Sequence, residues 1–195
     1  MPVSLSGIAA YLFLWAATAS GVMMSSDRWR RPGRPRALRG AGPGWLGAPA
    51  HESLSLAGLG VTLLHAAQTV FAPPGPRLEL LVFAGPDLAD GWGLFVGVLA
   101  LYLTAAATTS FYLRARLGRW WSAVHASAYA AYAAALWHAL AIGANAWLPP
   151  VRWLYVVTLA ILVAISALRV IAAINRKMRK TGIDKQGLLH HNVID

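Results

Sequence analysis

Five long apolar runs constrain this chain more than any other feature. They are Val3–Met24, Leu46–Phe71, Gly91–Leu113, Trp120–Gly143 and Val151–Ile174, and about 20 apolar residues are enough to cross the hydrocarbon core of a bilayer as a helix. The implied fold is an all-α integral membrane bundle of about five helices. It forms a single domain over residues 1–195 with a basic tail at 175–195. With 57% hydrophobic residues, only 12% charged ones and a mean hydropathy of +0.52, the composition lies outside the range of ordinary soluble domains. The small residues AATAS near the end of the first run imitate a signal-peptide cleavage site. That run has no positive n-region and leads straight into an arginine cluster, so a retained helix is predicted.

The net charge of +10 does not indicate a nucleic-acid partner, because the basic residues lie in short blocks between the apolar runs. One set of loops carries Arg28, Arg30, Arg31, Arg34, Arg36 and Arg39, then Arg114, Arg116 and Arg119, then Arg176, Lys177, Arg179, Lys180 and Lys185. The opposite loops carry only Arg77 and Arg152, beside Glu79, Asp87 and Asp90. The positive-inside rule therefore predicts an external N-terminus and a cytoplasmic C-terminus, in a bacterial-type cytoplasmic membrane with lipid as the surroundings. Loop 72–90 is predicted to cap the outer face, with a short interfacial helix near Leu78–Phe83. Segment 27–44, broken by Pro and Gly, is read as irregular. The only internal likeness noted is between the second and fourth runs. There is no cysteine, which excludes disulfides, thiolate ligands, iron–sulfur clusters and C-x-x-C-H haem attachment.

Four of the six histidines fall in two of the runs. The second contains HESLSLAGLGVTLLH, from His51 to His65, and the fourth contains HASAYAAYAAALWH, from His125 to His138. Polar groups inside a membrane are costly and point to function. The 14-residue step from His51 to His65 rises about 21 Å and returns to within about 40° of the same helix face. The second and fourth helices run in the same direction, so His51 pairs in depth with His125 near the cytoplasmic side, and His65 with His138 nearer the outside. Two levels, each offering one imidazole from each of two helices, form the arrangement that axially ligates two stacked, non-covalent b-type haems. Gly58, midway along the second run, and the alanines of the fourth leave room for a flat macrocycle. The 13-residue step in the fourth run places His125 and His138 roughly 140° apart. Either that helix bends or widens, or the two groups approach it from different sides. Metal or proton transport is the haem-free alternative. It usually needs buried carboxylates, whereas Glu52, at a membrane edge, is the only acid in any run. His190 and His191 belong to the polar tail.

These residues, with Leu117, Gly118, Arg119, Trp120, His125, Tyr129 and His138 as a version of an LG-R-W-x-x-x-H-x-x-x-Y…H pattern, resemble the ferric reductase-like transmembrane domain. In that pattern Trp121, rather than Trp120, gives the usual spacing to His125. The superfamily spans NADPH oxidases, ferric-chelate reductases and the haem-binding membrane subunit of a bacterial methionine sulfoxide reductase system. The resemblance covers about residues 46–174. It implies electron passage across the bilayer, with His51 and His125 holding an inner haem and His65 and His138 an outer one. Two departures stand out. Family members typically have six helices, and the dehydrogenase members continue into an FAD and NADPH domain. Here no G-x-G-x-x-G motif follows the last run, so no flavin or NAD site is expected in this chain. A donor flavoprotein or quinol and an outer-face redox partner are implied. A carrier subunit of a larger complex is the leading expectation, and a stand-alone ferric or oxygen reductase is the competing one.

Haem propionates call for cations or donors, for which Arg114 and Arg119 are inner candidates and Arg152 an outer one. Trp137 and Tyr129, like Tyr132, are candidates for packing on a porphyrin. Thr104, Thr108, Thr109 and Ser110 read as helix-packing contacts, and Trp45, Trp92, Trp120, Trp121, Trp147 and Trp153 as belt anchors.

Overall fold

The computed structural model describes residues 5–24, 48–72, 77–82 and 91–191. The basic segment 27–44, Trp45 and Leu46 lie outside the described residues. Five long helices carry the chain: α1 (Leu5–Met24), α2 (Ala48–Val70), α4 (Gly91–Tyr112), α6 (Trp121–Ile142) and α7 (Pro149–His191). Two short ones intervene, α3 (Glu79–Val82) in the predicted outer cap and α5 (Arg114–Leu117) at the corner before α6. Gly118 makes that corner possible. Its φ of 52° with ψ of −122° is open to glycine and strained for other residues.

The architecture is an all-helical membrane bundle. Four of the helices, α1, α2, α4 and the Pro149–Asn175 part of α7, are long and apolar enough to cross a membrane. The fifth expected span, α6, has the length at 22 residues but falls short in hydropathy. His125, His138, Tyr129, Tyr132 and two tryptophans dilute its alanines. The second departure from expectation is α7, which does not end near Ile174. It continues as one 43-residue helix, about 24 Å beyond Asn175 at the ordinary helical rise. Pro149 and Pro150 occupy its first turn, where a missing N–H costs nothing.

Two helix pairs pack extensively, α1 on α2 and α4 on α6, while α1 also touches α6 and α7, and α2 touches α4. Notably, α2 and α6 are not among the closely packed pairs. A cluster of Tyr11, Leu14, Ala19, Val22, Tyr132, Tyr155 and Leu162 joins α1, α6 and α7. Its polar centre is satisfied internally, as a low-dielectric interior requires. The Tyr11 hydroxyl lies 2.8 Å from that of Tyr132 and 2.6 Å from Thr158 Oγ1, and Trp15 Nε1 donates to Thr158 O at 2.9 Å. The outer helix α3 is pinned by Tyr102, whose hydroxyl donates to Leu81 O at 2.6 Å.

Candidate functional site

The four histidines of α2 and α6 come together in two pairs across the space that these helices leave between them. The His51 and His125 ring centres are 6.0 Å apart with planes at 82°, and those of His65 and His138 are 6.3 Å apart at 75°. The outer pair lines a cavity of about 300 Å3 between α1, α2, α4 and α6, whose walls include Thr62, Ala66 and Val98.

Each ring is held by its Nδ1 edge, and a helix other than its own provides the hold. His51 Nδ1 lies 3.0 Å from both Ala17 O and Ser20 Oγ on α1. His125 Nδ1 lies 3.2 Å from both Ala107 O and Ser110 Oγ on α4. His138 Nδ1 lies 2.8 Å from Gly93 O on α4. His65 Nδ1 lies 3.3 Å from Ser6 Oγ on α1, and Ser6 donates its own proton to Gln68 Oε1 at 2.6 Å. A carbonyl only accepts, and a serine that has given its proton away accepts too, so in each ring Nδ1 carries the hydrogen. In the neutral ring this leaves Nε2 with its lone pair, the form in which imidazole binds a metal. Holding the opposite nitrogen by an outer-shell acceptor is the usual way a ligating histidine is oriented.

The spacing fits one metal between each pair. Two metal–nitrogen bonds of about 2.0 Å, with about 1.1 Å from each Nε2 to its ring centre, set the centres about 6.2 Å apart. Two imidazoles do not make a site for a bare ion, and among the described residues no group of three His, Cys, Asp or Glu comes together. The set suits a metal whose remaining ligands arrive with it, as in a porphyrin. An orphaned donor adds to the fit. Trp121 stacks on the His125 ring, with centres 5.3 Å apart and planes at 16°, and among the described residues its buried Nε1–H has no hydrogen-bond partner.

Glycines make room for the rings. A methyl group on Gly97 would collide with the His138 ring, and one on Gly21 would lie 3.1 Å from His51 Cε1. Gly58 does something else, because a methyl there would meet Phe13 Cβ at 3.4 Å. It lets α1 approach α2 closely, in place of the expected approach of a macrocycle. Tyr129 and Trp137, 44% and 47% exposed, line an open apolar groove between α6 and α7 and are absent from the wall of the histidine cavity. Tyr132 is buried against Tyr11. Arg114 lies over the Phe111 ring and Arg119 over the Trp120 ring, both exposed, and Arg152 Nε donates to Ala146 O at the α6–α7 turn. These arginines cap and anchor at the surface, whereas Asn145, buried in that same turn, reaches the outer cavity.

The awkward step on α6 has a structural resolution. No wide or tight turn interrupts the α-helix between His125 and His138, so the rings leave α6 from its two flanks. Their anchors on α4, Ala107 and Gly93, are 14 residues apart and lie near one face of that helix. Sequence reading also missed a repeat. AATAS at 16–20 and AATTS at 106–110 align, as do Gly7 with Gly97 and Ala10 with Ala100, at one constant offset. Within both, the serine donates to the alanine carbonyl three residues earlier, and both atoms face an inner histidine. Thus α1 with α2, and α4 with α6, form two versions of one unit in which an Ala-x-x-Ser step holds a histidine of the neighbouring helix. Ser110, read from sequence as a packing residue, is an anchor.

No family model, curated protein or solved structure matches this chain. The likeness to the ferric reductase-like domain rests on the motif residues quoted above.

Proposed function

We propose that this protein is a transmembrane di-haem cytochrome b. In this reading it passes electrons between a cytoplasmic-side flavoprotein or quinol and an acceptor at the outer face, as a carrier subunit of a larger redox complex. The observation that carries it is the paired geometry: four imidazoles, each with Nδ1 tied to a neighbouring helix, in two pairs whose ring centres are 6.0 and 6.3 Å apart, the separation expected for one metal between each pair.

His51 and His125 would hold the inner group, and His65 and His138 the outer one. The bound haem supplies a one-electron ferric–ferrous couple. The chain's own residues do the rest. Helices α1 and α4 fix the imidazole planes, so the ligands need no reorganisation when the charge on the iron changes. The apolar walls exclude water from the path. Trp121 Nε1 is placed to donate to an inner propionate, and Asn145 is placed at the outer cavity to do so there. By the positive-inside rule, the arginine-rich segments 28–39 and 114–119 would put the inner level on the cytoplasmic side.

An absorption spectrum of the purified protein tests this. Dithionite reduction is expected to give the sharp α band of a bis-imidazole haem, with a pyridine haemochrome count close to two per chain. A colourless preparation from cells supplied with haem precursor would leave a haem-free transporter as the reading.

A further inference from the structure

The four imidazoles are not held alike. His51, His125 and His138 each donate Nδ1–H to a main-chain carbonyl, those of Ala17, Ala107 and Gly93. Such a carbonyl is fixed in place by the helix that carries it. At the inner level a serine oxygen adds a second acceptor to each ring. At the outer level the missing side chain of Gly97 lets the His138 ring settle against α4. His65 stands apart, because among the described residues its Nδ1 meets no carbonyl. Its one partner is the Ser6 hydroxyl at 3.3 Å, the longest of these contacts. Ser6 is the second residue of α1, in the turn where helix ends fray. Its own proton is engaged at 2.6 Å with Gln68 on an exposed edge. An acceptor on Nδ1–H raises the basicity of a ligating histidine and fixes its plane, and His65 has the longest of these contacts with no main-chain carbonyl beside it. The cavity walls beside it on α2 are the small residues Thr62, Ala66 and Thr69, which leave the ring room to tilt.

We propose that His65 is the displaceable ligand of the set. His65 would then give up its place to a small uncharged π-acceptor ligand of ferrous iron, of which carbon monoxide is the probe, whereas His51, His125 and His138 would keep theirs. The exchange would replace the bond to His65 Nε2 by one bond to the carbon of the probe, with no electron or proton moved. Ser6 acts as a positioning residue through His65. This inference rests on the haem reading above and deepens it, because it assigns acceptor access to one level and one face.

The test is a carbon monoxide titration of the dithionite-reduced full-length protein in detergent, followed through the Soret band. In the unaltered protein at most half of the haem is expected to convert. His65→Ala should convert the same half completely and at lower gas concentration. Ser6→Ala should raise the apparent affinity about tenfold, the lower end of what loss of an outer-shell partner does to a metal site. Ser20→Ala and Ser110→Ala should leave the other half unreactive, since each retains its carbonyl. Two bound haems with no conversion in either the unaltered protein or Ser6→Ala would overturn the inference, as would equal conversion of both haems. Failure to bind haem at all is a different result, and it would remove the reading beneath.

Discussion

The inner and outer histidine levels use the same two ligand helices, yet they are built to different standards. At the inner level, His51 and His125 each face a carbonyl and a serine hydroxyl presented by matching Ala-x-x-Ser steps of α1 and α4. At the outer level, His138 rests on a bare carbonyl and a glycine, and His65 on one hydroxyl. The repeat explains the first and fails at the second. Gly7 and Gly97 correspond, but the hydrogen-bond acceptors opposite the outer rings do not. The two helix pairs thus present one near-symmetric level and one whose two sides differ. The unlike level is on the side where, in the proposed orientation, electrons leave.

The largest effects that would break or sharpen this comparison come from the ligands themselves. His51→Ala or His125→Ala should remove about half of the bound haem, and His138→Ala the other half, because each of these carbonyl-held rings supports only its own level, whereas the outer haem should survive His65→Ala. The check is haem per chain with residual α-band positions. Loss of both haems from a single substitution would mean that the levels are not independent. Next in size is Gly97→Ala, whose new methyl collides with the His138 ring. It should weaken haem retention at the outer level roughly 10–100-fold, as disturbed orientation does at metal sites. Gly21→Ala, with 3.1 Å to His51 Cε1, calls for a small ring shift and should leave the inner haem bound. Retention after dialysis against apomyoglobin separates the two.

The Tyr11–Tyr132–Thr158 cluster ties α1, α6 and α7 together. Tyr11→Phe strands the buried Tyr132 hydroxyl, while Thr158 Oγ1 keeps its bond to Leu154 O, and should cost about 1–3 kcal/mol, seen as a lower melting temperature with haem content unchanged. The smallest effect belongs to Ser20→Ala. Its ring keeps the Ala17 carbonyl, so haem content should hold while the inner midpoint potential shifts and the outer one stays fixed.

Much of this was legible in the sequence. The apolar runs and the paired histidines rest on two strong regularities, the length needed to cross lipid and the cost of an imidazole inside it. The expected span with the weakest apolar signal is the one that the histidines themselves dilute. His125, His138 and the tyrosines of α6 lower its hydropathy below that of its neighbours, so its place in the bundle follows from packing on α4. Gly58, Tyr129 and Trp137 sit beside ligands in sequence, but the helical turn directs them to α1 or to the α7 groove. The anchors were missed because hydrogen bonds between helices leave no periodic trace. Only the AATAS and AATTS likeness, in runs separated by another helix, pointed to them. The continuation of α7 past Ile174 was hidden by a switch from apolar to basic residues, which changes the solvent a helix prefers and not its ability to form.

The account's central claim concerns what lies between α2 and α6, and an experimental density map of the purified protein in lipid reads that directly. It should show two flat densities, each with a metal peak flanked by Nε2 atoms, from His51 and His125 at one level and from His65 and His138 at the other. A map in which α2 and α6 close on each other, or in which acyl chains or side chains occupy both gaps, would contradict it.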